Sequence, residues 1–207
     1  MITLAIIGVV VAMTIPSLMY RHKQITTVNK VKNFYSKMNN LMVHVIQNNA
    51  ELKYLNWTDY AENPEQATKE FWSYFKPYIS VAKDCGLSHS GDCFYANKVM
   101  SLSGKSTISV TVNSYYVFFK DGSFMYIVPN DGHCTKRGGD NSINGCGWII
   151  YDVNGKKAPN TLGKDVFHFY IFSNEIRPVV ANDCNKKSTG WSCADYILQN
   201  DNMDYLK

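Results

Sequence analysis

The first twenty residues contain no Asp, Glu, Lys, Arg or His, and this uncharged run includes Ile2, Leu4, Ile6, Ile7, Gly8, Val9, Val10, Val11, Ile15 and Pro16. A helix of that length without a charge can just span a bilayer. Two further absences disfavour a cleaved signal peptide: no basic residues precede the apolar run, and no small-x-small cleavage pattern with an obvious mature start follows it. Neither glycine nor proline occurs between Pro16 and Pro64, so nothing local breaks a helix across that interval. The chain also lacks a strong excess of charge. With 21 basic and 17 acidic residues its formal charge is +4, scattered along the sequence, which gives no electrostatic grip on nucleic acid.

The usual signatures of catalysis and metal binding are missing too. There is no H-E-x-x-H and no G-x-S-x-G, and no two cysteines stand two to four residues apart as in a zinc knuckle. Gly104-Lys105-Ser106-Thr107 ends like a phosphate-binding loop, but Val99 stands where its first glycine belongs and a strand pattern follows. Asp152-Val153-Asn154-Gly155 begins like a calcium loop, but Lys156 and Lys157 take the next ligand and glycine positions. A looser oxygen cage from Asp152, Asn154, Asn160 and Asp165 stays open beside the simpler reading, a turn capped by side chains. His133 adjoins Cys134, an arrangement that could activate a thiolate only if that cysteine were free. His22, His44, His89 and His168 are isolated in sequence. No catalytic residue, metal site or cofactor is expected, and the chain reads as a non-enzyme.

What is present begins with six cysteines in three short-range couples, Cys85 with Cys93, Cys134 with Cys146 and Cys184 with Cys193. Each couple brackets a loop rich in Gly, Asn, Asp or Ser, and sequential pairing closes each without rearranging the others. Fifteen connectivities exist in principle. Disulfides place the folded part in an oxidising compartment outside the cytosol.

Helical periodicity follows the apolar run. Val28, Val31, Tyr35, Met38, Met42, Val45, Asn49 and Leu52 alternate three-four spacings, while Asn29, Lys30, Lys32, Asn33, Lys37 and Asn40 fall on the other side. Residues 1–20 and 21–55 therefore read as one helix, apolar all round and then amphipathic, with a bend or local melt expected near Pro16. About fifty residues at ~1.5 Å each make a rod of about 75 Å, longer than a small core needs. Packing of the second half on the protein's own sheet is preferred to a coiled coil, because only about four heptads are present and Asn49 falls on the seam.

Residues 56–207 read as a single head. Asn63, Pro64 and Gln66 supply an N-cap, a first helical residue and a capping-box partner for a short helix that ends before Pro77. Period-two patterns then cover residues 106–112, 115–120 and 123–128, the last two flanking Asp121-Gly122 as a two-residue hairpin. Residues 148–153 and 166–172 are two more strands joined by a turn-rich stretch. The fold class is α+β, a long N-terminal helix on a roughly four-stranded antiparallel sheet. Trp57, Trp72, Trp148 and Trp191 belong mostly to cores or interfaces in a domain of this size, with a sugar- or partner-binding face as the minor reading.

With those elements in place, Met1-Ile-Thr-Leu-Ala-Ile-Ile-Gly-Val-Val-Val-Ala-Met-Thr-Ile-Pro16 resembles the prepilin-type N-terminal segment of type IV pilins and type II secretion pseudopilins. The stretches Asp152-Val-Asn-Gly155 and Pro159-Asn-Thr-Leu-Gly-Lys-Asp-Val-Phe167 look similar to bacterial pilin-like proteins with a cysteine-containing head. The family's basic leader, first phenylalanine and early glutamate are not in this sequence, so the resemblance implies residues upstream of Met1. It implies a type IV pilin-like structural subunit, pseudopilin or minor pilin, in the bacterial inner membrane with its head in the periplasm or outside the cell. Its partners would be other pilin or pseudopilin subunits, met through the N-terminal helix, together with an inner-membrane assembly platform and the membrane. No nucleic acid is expected. A membrane-tethered extracytoplasmic binding protein for glycans or envelope components is the alternative, and would need an exposed aromatic cleft.

Overall fold

The computed structural model describes residues 2–110, 113–135, 145–180 and 182–207, with residues 2–13 described as backbone alone. Its first element, α1 (Ile2–Asn48), is a helix of 47 residues. Val28, Val31, Phe34, Met38, Leu41, Met42 and Val45 form its buried stripe, and Asn29, Lys32, Asn33, Lys37 and Asn40 are exposed, as the spacing requires. The helix passes through Pro16 without interruption, and Ser17 Oγ donates to the Thr14 carbonyl at 3.0 Å. It stops earlier than the periodicity suggests. Asn48 Nδ2 donates to the His44 carbonyl at 2.8 Å and Asn49 Nδ2 to the Val45 carbonyl at 3.0 Å, so amide side chains satisfy carbonyls of the last turn. Asn49 is exposed instead of lying on a seam, and Leu52 is buried from a separate 3-10 turn, Leu52–Tyr54.

The second helix, α2 (Pro64–Phe75), starts as its sequence dictates: the Asn63 side chain accepts from the Gln66 backbone N–H at 3.2 Å, with Pro64 in the first turn. It buries Phe71, Trp72 and Phe75. Eight strands follow among the described residues: β1 (Lys83–Gly86), β2 (Lys98–Met100), β3 (Thr107–Ser109), β4 (Tyr115–Phe118), β5 (Phe124–Pro129), β6 (Gly147–Asp152), β7 (Val166–Ile171) and β8 (Ile176–Pro178). The short helix α3 (Cys193–Asn200) comes after them.

The main sheet has six strands in the order β1-β4-β5-β6-β7-β8, each antiparallel to its neighbour, and not the four expected. The four expected strands are the middle of it. The added strands lie at its edges, where short length and a register shift between Asp84 and Gly86 leave no period-two pattern to read. The expected strand at 106–112 instead contributes β3 to a separate hairpin with β2, and residues 111–112 lie outside the described set. Between β4 and β5 the turn is longer than two residues: Gly122 N–H donates to the Phe119 carbonyl at 3.0 Å and Phe119 N–H to the Ser123 carbonyl at 2.9 Å. Gly122, at φ +79, takes the left-handed position of that three-residue loop.

Cross-strand register sorts the sheet into two faces. Tyr115, Ile127, Ile149 and Phe169 are paired in one row, and Val117, Met125, Tyr151 and Phe167 in the next; with α1 and α2 they make the larger core. Tyr116, Tyr126 and Ile150 face the other way, into a second core closed by Tyr95, Val99 and Leu162. The six cysteines pair sequentially, Cys85–Cys93, Cys134–Cys146 and Cys184–Cys193, and none is free. One position where the packing leaves no room for a side chain is Gly147. A Cβ there would lie 2.5 Å from the Val128 carbonyl oxygen and 3.1 Å from Pro129 Cα, both backbone atoms of the neighbouring strand. Gly147→Ala is expected to cost about 1–3 kcal/mol, read as a lowered urea midpoint with disulfides intact.

Candidate functional site

The helix α1 is longer than the head that holds it. Inward-facing burial begins at Thr27 and Val28, whereas residues 14–26 are exposed apart from the half-buried Gln24. The part before Thr27, residues 2–26, is about 37 Å of helix at ~1.5 Å per residue. Its described side chains include Ile15 (47% exposed), Leu18 (63%), Met19 (68%), Tyr20 (50%) and Ile25 (60%), an unusual concentration of bare apolar surface for one segment. Pro16 is exposed with them; Ile2, Leu4, Ile6, Ile7, Gly8, Val9, Val10 and Val11 lie outside the residues whose side chains are described. Among the described residues no helix is long and apolar enough to cross a membrane. Where α1 leaves the head, a cleft of ≈ 470 Å³ opens between Tyr20, Lys23 and Gln24 on the helix and Leu102, Pro159 and Met203 on the head.

Beside that exit the turn between β6 and β7 gathers the four oxygen-bearing residues noted in the sequence. Asp152 and Asp165 are both fully buried. One Asp165 oxygen accepts from Thr161 N–H at 2.7 Å, and the other accepts from Asn160 N–H at 3.1 Å and Asn154 Nδ2 at 3.2 Å. Asp152 accepts from Asn154 N–H at 2.8 Å and from the Tyr95 hydroxyl at 2.6 Å. The β6–β7 register places Asp152, the last residue of β6, opposite Val166, and Asp165 immediately precedes β7. Asn160, at φ +49, turns its side chain back towards Asp152. Among the described residues no three of His, Cys, Asp or Glu converge as metal ligands. The turn instead gathers two carboxylates and two amides, tied to one another and to backbone N–H groups by hydrogen bonds.

Burial pushes the Asp152 carboxyl up to about 8, with the Asp165 carboxylate adding to the rise and hydrogen bonds from Tyr95, Asn154 and Gly155 opposing it. Asp165 is raised as well, chiefly by burial, against hydrogen bonds from Thr161, Asn160 and Asn154 and the charge of Lys23. A raised folded-state pKa means that the folded protein holds the Asp152 proton when the unfolded chain has lost it. Its contribution to stability is therefore complete below about pH 4 and is lost as pH rises through about 8. In cation-free buffer the urea midpoint is expected to fall between pH 5 and pH 8, and Asp152→Asn to flatten that fall. An equal fall in the variant would assign the effect to other groups.

The remaining sequence candidates separate. Gly104-Lys105-Ser106 lies in the β2–β3 connection and Thr107 opens a strand, so the geometry of a phosphate loop is not formed. Cys134 is bonded to Cys146 and cannot serve as a nucleophile beside the exposed His133. His22 and His44 are exposed and His89 is half-buried. Trp57 and Trp72 are core residues. His168, 4% exposed, was not legible as special; it sits among the half-buried Trp148, Tyr170 and Trp191, with ring centroids at 5.9, 4.6 and 4.6 Å. Burial lowers its pKa to about 3, so the imidazole is neutral. No family model, curated protein or solved structure matches this chain.

Proposed function

We propose that this chain is a structural subunit of the type IV pilin-like class, a pseudopilin or minor pilin, that acts by association through α1 and not by catalysis. The observation that supports it is the projection of residues 2–26 beyond the head, with Ile15, Leu18, Met19, Tyr20 and Ile25 uncovered. Surface of that kind needs either acyl chains or neighbouring helices to cover it. A helix that starts apolar, ends amphipathic and carries a disulfide-bonded head suits both in turn: the same 25 or so residues lie in a bilayer before assembly and against sister helices afterwards. The oxidised cysteines fit an inner-membrane anchor with the head in the periplasm or beyond.

The test compares the full chain with one beginning at Arg21, both expressed with export intact. The full chain is expected to fractionate with membranes and the shorter one to remain in the aqueous fraction with its disulfides formed. A photo-crosslinking residue in place of Leu18 should capture other subunits or lipid, whereas one at the exposed Lys37 should capture far less. A full chain that is a soluble monomer without detergent and yields no crosslink at position 18 would overturn the proposal. The grouping of Trp148, Tyr170 and Trp191 favours a second reading, a tethered glycan-binding protein. Trp148→Ala abolishing retention on a glycan matrix would support that reading, and no retention of the parent chain on any glycan would remove it.

A further inference from the structure

We infer that the cleft where α1 leaves the head takes the phosphate of an anionic phospholipid, held between Lys23 of the helix and Lys164 and Lys186 of the head. The inference rests on the proposed placement of the apolar start of α1 in a bilayer.

The cleft carries an unbalanced set of charges. Its ≈ 470 Å³ are lined by three lysines, Lys23, Lys164 and Lys186, and by one carboxylate, Asp165. Asp165 is fully buried, accepts three hydrogen bonds from its own turn and already feels the charge of Lys23. Lys164 and Lys186 are exposed, and among the described residues their ammonium groups have neither an ion pair nor a hydrogen bond. A second cleft lies across α1, lined by Arg21, Gln24, Lys32 and Lys207, and it differs in this respect. There Lys32 pairs with Asp201, and Lys207 with Asp204 at 2.6 Å. Of the two clefts, only the first presents head lysines without a counter-charge.

The backbone under those two lysines is fixed. Lys164 N–H donates to the Thr161 carbonyl at 3.0 Å, within the turn that Asp165 ties together. Lys186 lies in the loop closed by Cys184–Cys193. That loop is joined to the β2–β3 connection by Leu102 N–H on the Thr189 carbonyl at 2.9 Å and Ser103 N–H on the Ser188 carbonyl at 3.0 Å. Lysine binds phosphate as a point charge, so two of them on a rigid frame, with a third on the helix, form a pre-organised anion site.

The rest of the wall favours a lipid over a free phosphate. Leu102, Pro159, Met203 and Leu206 line the cleft beside the lysines, together with Tyr20. A hydrated inorganic anion gains nothing from such a wall, whereas the glycerol backbone and upper acyl chain of a phospholipid are covered by it. Depth agrees with this. The uncharged run ends at Tyr20, and Lys23 follows about 4.5 Å further along the helix. The headgroup layer on each side of the hydrocarbon is about 5–8 Å thick. Lys23 therefore lies at the level of the phosphates, and Lys164 and Lys186 line the same cleft. Tyr20 falls at the boundary, where a ring with a polar tip is favoured.

The experiment begins with the full chain and vesicles of phosphatidylcholine, alone or mixed with phosphatidylglycerol. Flotation with both kinds is expected and reports the anchor alone; failure to float with either would overturn the anchor and this inference with it. The full chain in neutral detergent is then given equal amounts of the two lipids, and native mass spectrometry counts what it retains. One phosphatidylglycerol per chain is expected, in about tenfold preference over phosphatidylcholine, falling with added NaCl. Lys164→Gln combined with Lys186→Gln should weaken that retention about tenfold with unchanged Tm and disulfides. Lys37→Gln combined with Lys98→Gln, exposed positions outside the cleft, should leave it unchanged. Equal retention of the two lipids, or a preference that survives the double substitution in the cleft, would overturn the inference and leave the anchor intact. Displacement of the lipid by inorganic phosphate would overturn it in favour of a free-phosphate site. Carbodiimide coupling of Lys186 to a second copy of the chain in mixed vesicles would overturn it in favour of a neighbouring subunit's carboxylate.

Discussion

Reduction of the three disulfides is expected to unfold the head at 25 °C, the largest effect anticipated for any single chemical change to this protein. The pairs are separated by 8, 12 and 9 positions. Loop-closure entropy for rings of that size corresponds to about 2.5–3 kcal/mol each. The three loops are sequential and share no residues, so their contributions combine to about 8 kcal/mol, comparable with the whole stability of an ordinary domain, about 5–15 kcal/mol. Two of the bonds are also core elements: Cys134, Cys146 and Cys193 are buried, and Cys193 Sγ lies 3.0 Å from the Cβ position of Gly163. Far-UV and near-UV circular dichroism with and without reductant reads the outcome. Retention of near-UV structure after complete reduction, verified by thiol labelling, would show that the core carries the fold without its crosslinks.

The second large effect is expected from Phe34→Ala. This side chain is 5% exposed and joins α1 to the centre of the sheet. Its ring stacks on Tyr151 at 3.9 Å with planes 8° apart, stands 5.4 Å from Phe169, and meets Phe119 edge-on at 6.3 Å. Deleting it removes the transfer energy of a buried aromatic and leaves a cavity between a helix and a sheet that cannot close fully, a loss of about 3–5 kcal/mol. Urea unfolding with disulfides intact measures it. A loss below about 1 kcal/mol would mean that α1 is held to the head elsewhere along its stripe.

Much of this architecture could be read in the sequence because the responsible signals are local. Asn63-Pro64 with Gln66 sets a helix start through contacts within four residues, and the cysteine couples close loops too short to admit other partners easily. The buried stripe of α1 follows from spacing alone, although Tyr35 is only partly buried and Phe34 beside it takes the central place. The edge strands were not readable. In β1 no residue is buried, and β8 has only three residues, one of them a proline, too few to show its alternation in the sequence. The oxygen cluster was legible only as a set of residue types. That Asp165 would be tied to three donors, and that Tyr95 would cross from another part of the chain to Asp152, depends on tertiary placement that spacing does not encode.

The order of elements along the chain also fixes the order in which the head can mature. The stripe of α1 is synthesised first, but Tyr151 and Phe169, on which Phe34 packs, follow roughly 115–135 residues later, a separation that makes helix docking a slow, non-local event. From β4 to β8 each strand pairs with its immediate successor, so the meander can zip up as it emerges, carrying an inner face still open to water. For that interval Val31, Phe34, Met38 and Val45 on one side, and Ile149, Tyr151 and Phe169 on the other, are matching sticky surfaces without their partners. A chain that keeps its first twenty residues in lipid holds the helix beside the growing sheet at high effective concentration, shielded from other chains; one released early presents both surfaces to aggregation.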